Sequence, residues 1–340
     1  MKIFQKISVI TLLTVINSCA PLEDYRQFTD RDIRPPMFIS MGSTNPNTLE
    51  LQFSEKLLDK PEYLVFDPAM EITDFSVDME KIQISFAEDL EPGGLYKIEI
   101  TVCDLSGNSL TLIADFYGYN SNLPDLIINE FTSQGSSTNP DKVELRVLSD
   151  GNTAGICIYE GIDTEWKQRK ILPSIDVHED DYIIVHFKPA GTAEEIDETT
   201  SKDTSGGLNV HPEAWDLWVE GGSGLSGNNG TITMFTNPRG SLIDGILYSN
   251  RTSGSDENYR GFGSTATMNK ADRLFESGGW LAEGDLIAPE DALDPEDSTA
   301  TRSMCRESVY TDINSSMDWH IVPTSTASFG EINSDLIYIP

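Results

Sequence analysis

The chain has 340 residues, 56 of them acidic and 23 basic, for a formal net charge of -33. That length suits two or three domains at roughly 150 residues each, and a surface so acidic repels phosphate backbones, so no nucleic-acid partner is expected. A hydrophobic share of 38% with 5 Trp, 14 Phe and 11 Tyr is enough to build apolar cores, which excludes global disorder, and four cysteines are too few for a disulfide-stapled scaffold.

Residues 1–18, MKIFQKISVITLLTVINS, place Lys2 and Lys6 ahead of an apolar run from Ile7 to Ile16. The run is too short to cross about 30 Å of hydrocarbon as a helix, so it reads as a cleaved secretory signal peptide. Ile16, Asn17, Ser18 and Cys19 resemble the lipobox of bacterial lipoproteins, in which the cysteine thiol is acylated and becomes the new N-terminus. The resemblance implies that Cys19 carries lipid and that the protein is held on a membrane of the bacterial cell envelope, at the outer membrane or cell surface, without a spanning helix. Residues 19–33 then form a lipidated tether of mixed charge with no apolar periodicity.

Residues 34–119 form a first unit. In LELQF, Leu49, Leu51 and Phe53 share one face; in KIQISF, Ile82, Ile84 and Phe86 do the same, which is the alternation of half-buried strands. The order LELQFSE, LEPGGLYKIEI, then Asp104, Leu105, Ser106, Gly107, Asn108 resembles the SbsA-type bacterial Ig-like domain, whose members are mostly spacers and adhesion modules. The last motif reads as a turn in which Asp104 and Asn108 bond neighbouring backbone, with calcium binding as the less favoured alternative. SNLPD at 121–125 is a short linker.

The stretch from Leu126 to Phe187 contains LIINEF, KVELRVL, GICIYEG and DYIIVHF, short runs bounded by Asn, Gly, Asp or Pro, as in an all-β sandwich. Within it, Val143, Leu145 and Val147 alternate with Lys142, Glu144 and Arg146, so one face is expected to meet a core and the other water. From about 124 to 335 the chain resembles the lamin tail domain, on LIINEF, KVELRVLSDG, DYIIVHF, the segment GNNGTITMFTNPRGSLIDGILYS, and RSMCRES followed by DWHIVPTSTASFGEIN. The expected fold is therefore all-β: two Ig-like β-sandwiches in tandem after the signal peptide. Two stretches, about 190–227 and 249–300, exceed ordinary loop lengths and are read as insertions able to carry function.

Chemistry-bearing patterns are sparse. No pair among His178, His186, His211 and His320 has metal-ligand spacing, and His178 and His186 read as surface or edge residues. Asp312, Asn314, Ser316 and Asp318 recur at every second position, like the opening of a calcium loop, although Met317 and Pro323 stand where such a loop needs glycine and glutamate. The plainer reading is a polar turn. Trp215, Trp218 and Trp280 lie in the insertions and could stack on sugars, although filling a core gap is the plainer reading of each. Cys157 and Cys305 could bridge or stay free, and the acidic runs at 194–198 and 285–297 read as solvated.

The expected function is a non-enzymatic, lipid-anchored envelope protein, whose spacer presents the second sandwich to an extracellular or periplasmic protein or glycan. No cofactor is expected beyond the calcium alternative. The alternatives are a part of an extracellular hydrolase of nuclease or phosphoesterase type, which the lamin-tail resemblance allows, and a calcium-dependent adhesin.

Overall fold

A computed structural model describes residues 32–309 and 312–340, and the fold is all-β with a single α-helix among them. The lipidation candidate Cys19, the signal segment and most of the tether lie outside the described residues. No helix among the described residues is long and apolar enough to cross a membrane.

The first unit begins with β1 (Phe38–Asn45) and β2 (Thr48–Phe53), followed by β3 (Tyr63–Asp67) and β4 (Ile72–Asp78). It ends with β5 (Lys81–Phe86), β6 (Leu95–Cys103) and β7 (Ser109–Tyr117). These pair as two sheets, ordered β1-β2-β5-β4 and β3-β6-β7, packed face to face. Alternation puts Leu49, Leu51, Phe53, Ile82, Ile84 and Phe86 into one core with Ile98, Ile100 and Phe116. The Asp104 turn is structural: its carboxylate accepts from the amides of Ser106 and Asn108, both at 2.8 Å, and Gly107 takes φ +84°.

The second unit opens with β8 (Leu126–Thr132), β9 (Lys142–Val147), β10 (Gly151–Asn152), β11 (Cys157–Ile162) and β12 (Glu165–Ile171). There follow β13 (Asp176–Val177), β14 (Tyr182–His186), β15 (Trp215–Trp218), β16 (Asn229–Phe235) and β17 (Leu242–Ser249). Then come α1 (Thr265–Glu276), β18 (Met304–Arg306) and β19 (Trp319–Ile321). A six-stranded sheet, β15-β14-β9-β8-β18-β19, faces a four-stranded one, β12-β11-β16-β17, over a second core. Helix α1 lies on the outer face of the four-stranded sheet, where a Cβ at Gly245 would stand 2.6 Å from Leu274 Cδ1. Ser264 caps α1 by accepting from the Thr267 amide.

Two sequence expectations change here. The polar face of β9 does not meet water: Lys142 and Glu144 are buried beneath the segment 328–333, and the Lys142 ammonium sits 4.2 Å over the Phe329 ring. The insertions are fastened rather than free. Carboxylates read as solvated accept backbone N–H bonds: Glu195 from Ala190, Gly191 and Thr192, Glu198 from Thr204, Ser205 and Asp216, and Asp291 from Glu283 and Ala288. Such charge-assisted bonds stop loops that lack a ladder of their own from opening.

The two units touch directly. Gly93 at φ +68° packs so closely on Gly155 that a Cβ would meet its amide nitrogen at 2.4 Å. The side-chain amide of Asn120 donates to the carbonyls of Asn152 and Ala154, and the Asn152 amide donates to the Asn122 carbonyl.

Candidate functional site

The outer face of the six-stranded sheet is the most polar buried region. A bulge between Ile128 and Glu130 shifts the phase of β8, so Ile128 and Phe131 still reach the core while Glu130 stands opposite Glu144 of β9. Like charges directly opposed would repel, but each carboxylate is heavily bonded. Glu130 accepts from the Ser303 hydroxyl and from the amide and hydroxyl of Ser328. Glu144 accepts from Asn129 at 2.7 Å and from the Gly330 amide. Burial raises the pKa of both carboxyls, most strongly that of Glu144, where the charge of Glu130 adds to it. Asn333 completes the set, receiving a bond from Asn129 and donating to the Arg306 carbonyl. This network clamps the C-terminal segment onto the sheet.

A second buried pair is His186 and Asp216, 2.6 Å apart on neighbouring β14 and β15, with the imidazole stacked on Trp218 at 3.9 Å. His186 is thus not a surface residue as expected, whereas His178 is exposed. Burial lowers the His186 pKa although Asp216 opposes this, and no hydroxyl or thiol stands within hydrogen-bond reach of the ring among the described residues.

Arg306 is wholly buried and explains the 312–318 pattern. Its guanidinium meets Asp312 at 3.1 Å, Asp318 at 3.5 Å and Asp244 at 3.4 Å, donates to the Ile128 carbonyl, and lies 4.7 Å from the Trp319 ring centre. Asp318 also accepts from the amides of Ile313 and Ser315, and Asn314 donates to the Gly278 carbonyl. Ser316 sits in a short 3-10 turn. Of the calcium candidates Asp312, Asn314, Ser316 and Asp318, the two carboxylates thus serve an internal guanidinium and the Asn314 amide a backbone carbonyl, which is the polar turn of the plainer reading.

Cys157 and Cys305 do not bridge: Cys103, Cys157 and Cys305 are free and buried, and β11 and β18 belong to different sheets. Burial pushes the Cys157 thiol up to about 11. Cys305 Sγ lies 3.5 Å from His320 Nε2, but that nitrogen is 2.7 Å from the Ser334 carbonyl and so carries its proton there. Burial, then Glu130, Glu144 and Asp335, raise the Cys305 thiol pKa, the opposite of the lowering that activates a thiolate nucleophile.

Trp215, Trp218 and Trp280 are at most 8% exposed, and they fill the interior rather than offer a sugar platform. The exposed indole is Trp166, 42% open, one of the five tryptophans but outside the insertions that single out the other candidates. It lines a cavity of 240 Å³ between the two units, with Asp115 and Tyr117 from the first and Asp163, Arg169 and Arg239 from the second. Its signal was the hairpin EGIDTEW, where Gly161 leaves room opposite a bulky residue. A separate carboxylate group, Asp32, Glu55 and Asp104, lies at the far end of the Asp104 turn. Burial and the charges of Asp32 and Asp104 raise the Glu55 pKa.

One comparison decides the family. The model of the family TP_1001_2nd, described as "protein second domain", matches residues 124–321. The chain belongs to this family. The TP_1001_2nd match spans both sheets of the second sandwich and the Arg306 cluster. No curated protein matches the sequence. Among solved structures, the N-terminal part of the bacterial S-layer protein SbsC is 14% identical, with 37% of this chain and 34% of that chain covered and a TM-score of 0.25. The chain thus spans about a third of that structure's length. SbsC domains 1–6 give 10% identity over 62% of this chain and 40% of that one, at 0.25. L,D-transpeptidase 3 from Mycobacterium tuberculosis gives 10% identity over 63% of this chain and 98% of that one, at 0.18. Overlays this loose carry no argument about what this chain does.

Proposed function

We propose that the protein is a non-enzymatic, lipid-anchored component of the bacterial cell envelope, in which the first sandwich is a spacer and the second holds an extracellular or periplasmic protein or glycan. The observation that carries the reading is how the buried ionisable groups of the second sandwich are spent. Glu130, Glu144, Glu198, Asp216, Asp244 and Arg306 each fasten strands, inserted segments or the C-terminal stretch to one another. Groups bound this way favour rigidity over turnover, since a catalytic base must be free to exchange a proton with a substrate. The lipobox-like Ile16 to Cys19 and the apolar run before it support the anchor, and the resemblances to SbsA-type Ig-like and lamin tail domains support spacing and presentation.

The test is fractionation of cells expressing the wild type and Cys19→Ala, with labelled palmitate. Wild type is expected in the membrane fraction carrying label, and Cys19→Ala in the soluble fraction without it. Equal membrane retention of the two forms would remove the anchor.

A further inference from the structure

We propose that the cleft between the two sandwiches is a carbohydrate-binding site that seats one ring of a neutral oligosaccharide against Trp166. The argument begins with that indole. Trp319, like Trp215, Trp218 and Trp280, is at most 8% exposed, whereas Trp166 leaves 42% of its surface open at the mouth of a cavity. It is also held still. A bulge at Glu160 and Gly161 sets its direction, the Tyr159 ring is packed at 5.5 Å, and the Arg169 guanidinium lies 4.8 Å from its ring centre. Arg169 covers one side of the indole, and the part left exposed is a rigid apolar surface of the kind that the C–H face of a sugar ring packs on; fixing it beforehand lowers the entropy lost on binding.

The polar lining narrows the ligand class. Although the chain carries a net charge of -33, two guanidiniums, Arg169 and Arg239, face this cavity beside two carboxylates, Asp115 and Asp163. None of the four makes an ion pair within 4.0 Å among the described residues; Arg169 is held by Tyr159 and over the Trp166 ring, and Arg239 spends only its Nε, on the Asp115 carbonyl. Two positive and two negative groups cancel, so neither an anion nor a metal cation is favoured. Vicinal hydroxyls are: each can donate to a carboxylate and accept from a guanidinium.

Size agrees with this. The cavity of 240 Å³ is smaller than the roughly 300–1,000 Å³ that encloses a drug-sized ligand, and it suits a single ring. An adjoining cavity of 170 Å³ shares Tyr117 and Arg239 and gives the next ring a place. Because both sandwiches line the cleft, a bound saccharide would also brace their junction.

This inference rests on the reading that the chain holds a partner, but not on its lipid anchor. The experiment is isothermal titration calorimetry of the detergent-solubilised full chain with cellobiose, maltose, lactose and N,N′-diacetylchitobiose, and with digalacturonate as an acidic probe. At least one neutral disaccharide should give a saturable heat. Affinity should fall about tenfold in Trp166→Ala, the size expected for losing an aromatic contact, and similarly in Arg239→Gln, while Trp166→Phe should recover part of it. Thermal unfolding of each variant checks that the fold is kept. Saturation by none of the probes, by digalacturonate alone, or with equal affinity in wild type and both loss variants overturns the site. Hydrolysis of the bound disaccharide would instead overturn the non-enzymatic reading and leave the site standing.

Discussion

Arg306 shows how strongly single residues are bound into this fold. It has no exposed surface, and its guanidinium meets Asp244, Asp318 and Asp312 while donating to the Ile128 carbonyl. Removing one member of a buried ionic cluster strands the others without water, which typically costs about 3–5 kcal/mol. Arg306→Ala should lose that much in urea unfolding, and Arg306→Lys should recover little, since a single ammonium cannot span three carboxylates and a carbonyl. Full recovery by lysine would show that charge alone matters. A milder case is Glu144→Ala, which leaves the buried Gly330 amide without its acceptor while the Asn129 side chain keeps its bond to Asn333; roughly 1–3 kcal/mol is expected for the orphaned amide. The measurement is denaturant unfolding of the variant beside wild type, and a loss below about 1 kcal/mol would mean that the C-terminal clamp is not held through Glu144. At this scale the sequence misleads in a consistent direction. Polar residues at alternate positions of KVELRV look like a water-facing edge, and only a distant segment, 328–333, makes them interior. Spacing within a strand carries no record of what covers it.

Among the elements, strands with clean alternation were legible: β2, β5, β6, β8, β9 and β14 all coincide with runs read from the sequence. Strands β3 and β4 give no such signal, because YLVFD and ITDFSVD bury little. Helix α1 lies in a stretch whose length reads as an irregular insertion, yet its signals stand in the chain: Ser264 as cap, then Met268, Ala271, Leu274 and Phe275 at helical spacing, and Gly278 beyond the end. Acidic and Gly-rich flanks drew attention away from them. The helix explains in turn why residue 245 is glycine, since Leu274 sits against its Cα on the outer sheet face. Gly245→Ala should therefore cost about 1–3 kcal/mol through overpacking. Leu274→Ala alone should cost about 2–5 kcal/mol as a cavity. Combined, the two should cost clearly less than their sum, because the new methyl occupies vacated space. Strict additivity in chemical unfolding would mean that helix and sheet do not meet at this point.

For the molecule as a whole, pH dependence follows from two opposed sets of carboxyls. Burial holds Glu130 and Glu144 above their ordinary values and pushes Asp244 from 3.8 up to about 6, against the pull of Arg306. A carboxyl whose folded pKa is raised binds its proton more tightly when folded. Its contribution is fully present below the unfolded value and is lost as pH rises through the folded one, here between 3.8 and about 6 for Asp244. Asp104, Asp181, Asp256, Glu290 and Asp335 behave oppositely, because hydrogen bonds hold them below their ordinary values; what they contribute is lost as pH falls through those lowered values. Repulsion within a chain of net charge -33 also grows as the remaining groups ionise. Both effects favour the acidic side, while His186, its pKa lowered by burial, loses its contribution as pH falls below 6.5, so the thermal midpoint should be highest near about pH 5–6 and fall towards pH 8. Added salt at pH 8 separates the two causes: it screens surface repulsion within about 10 Å and should restore that part, while leaving the buried carboxyls of Glu144 and Asp244 largely unaffected. A midpoint that climbs steadily from pH 5 to pH 8 in circular dichroism would mean that those buried carboxyls titrate as exposed ones do, and that the clamp of 328–333 over the six-stranded sheet is open in solution.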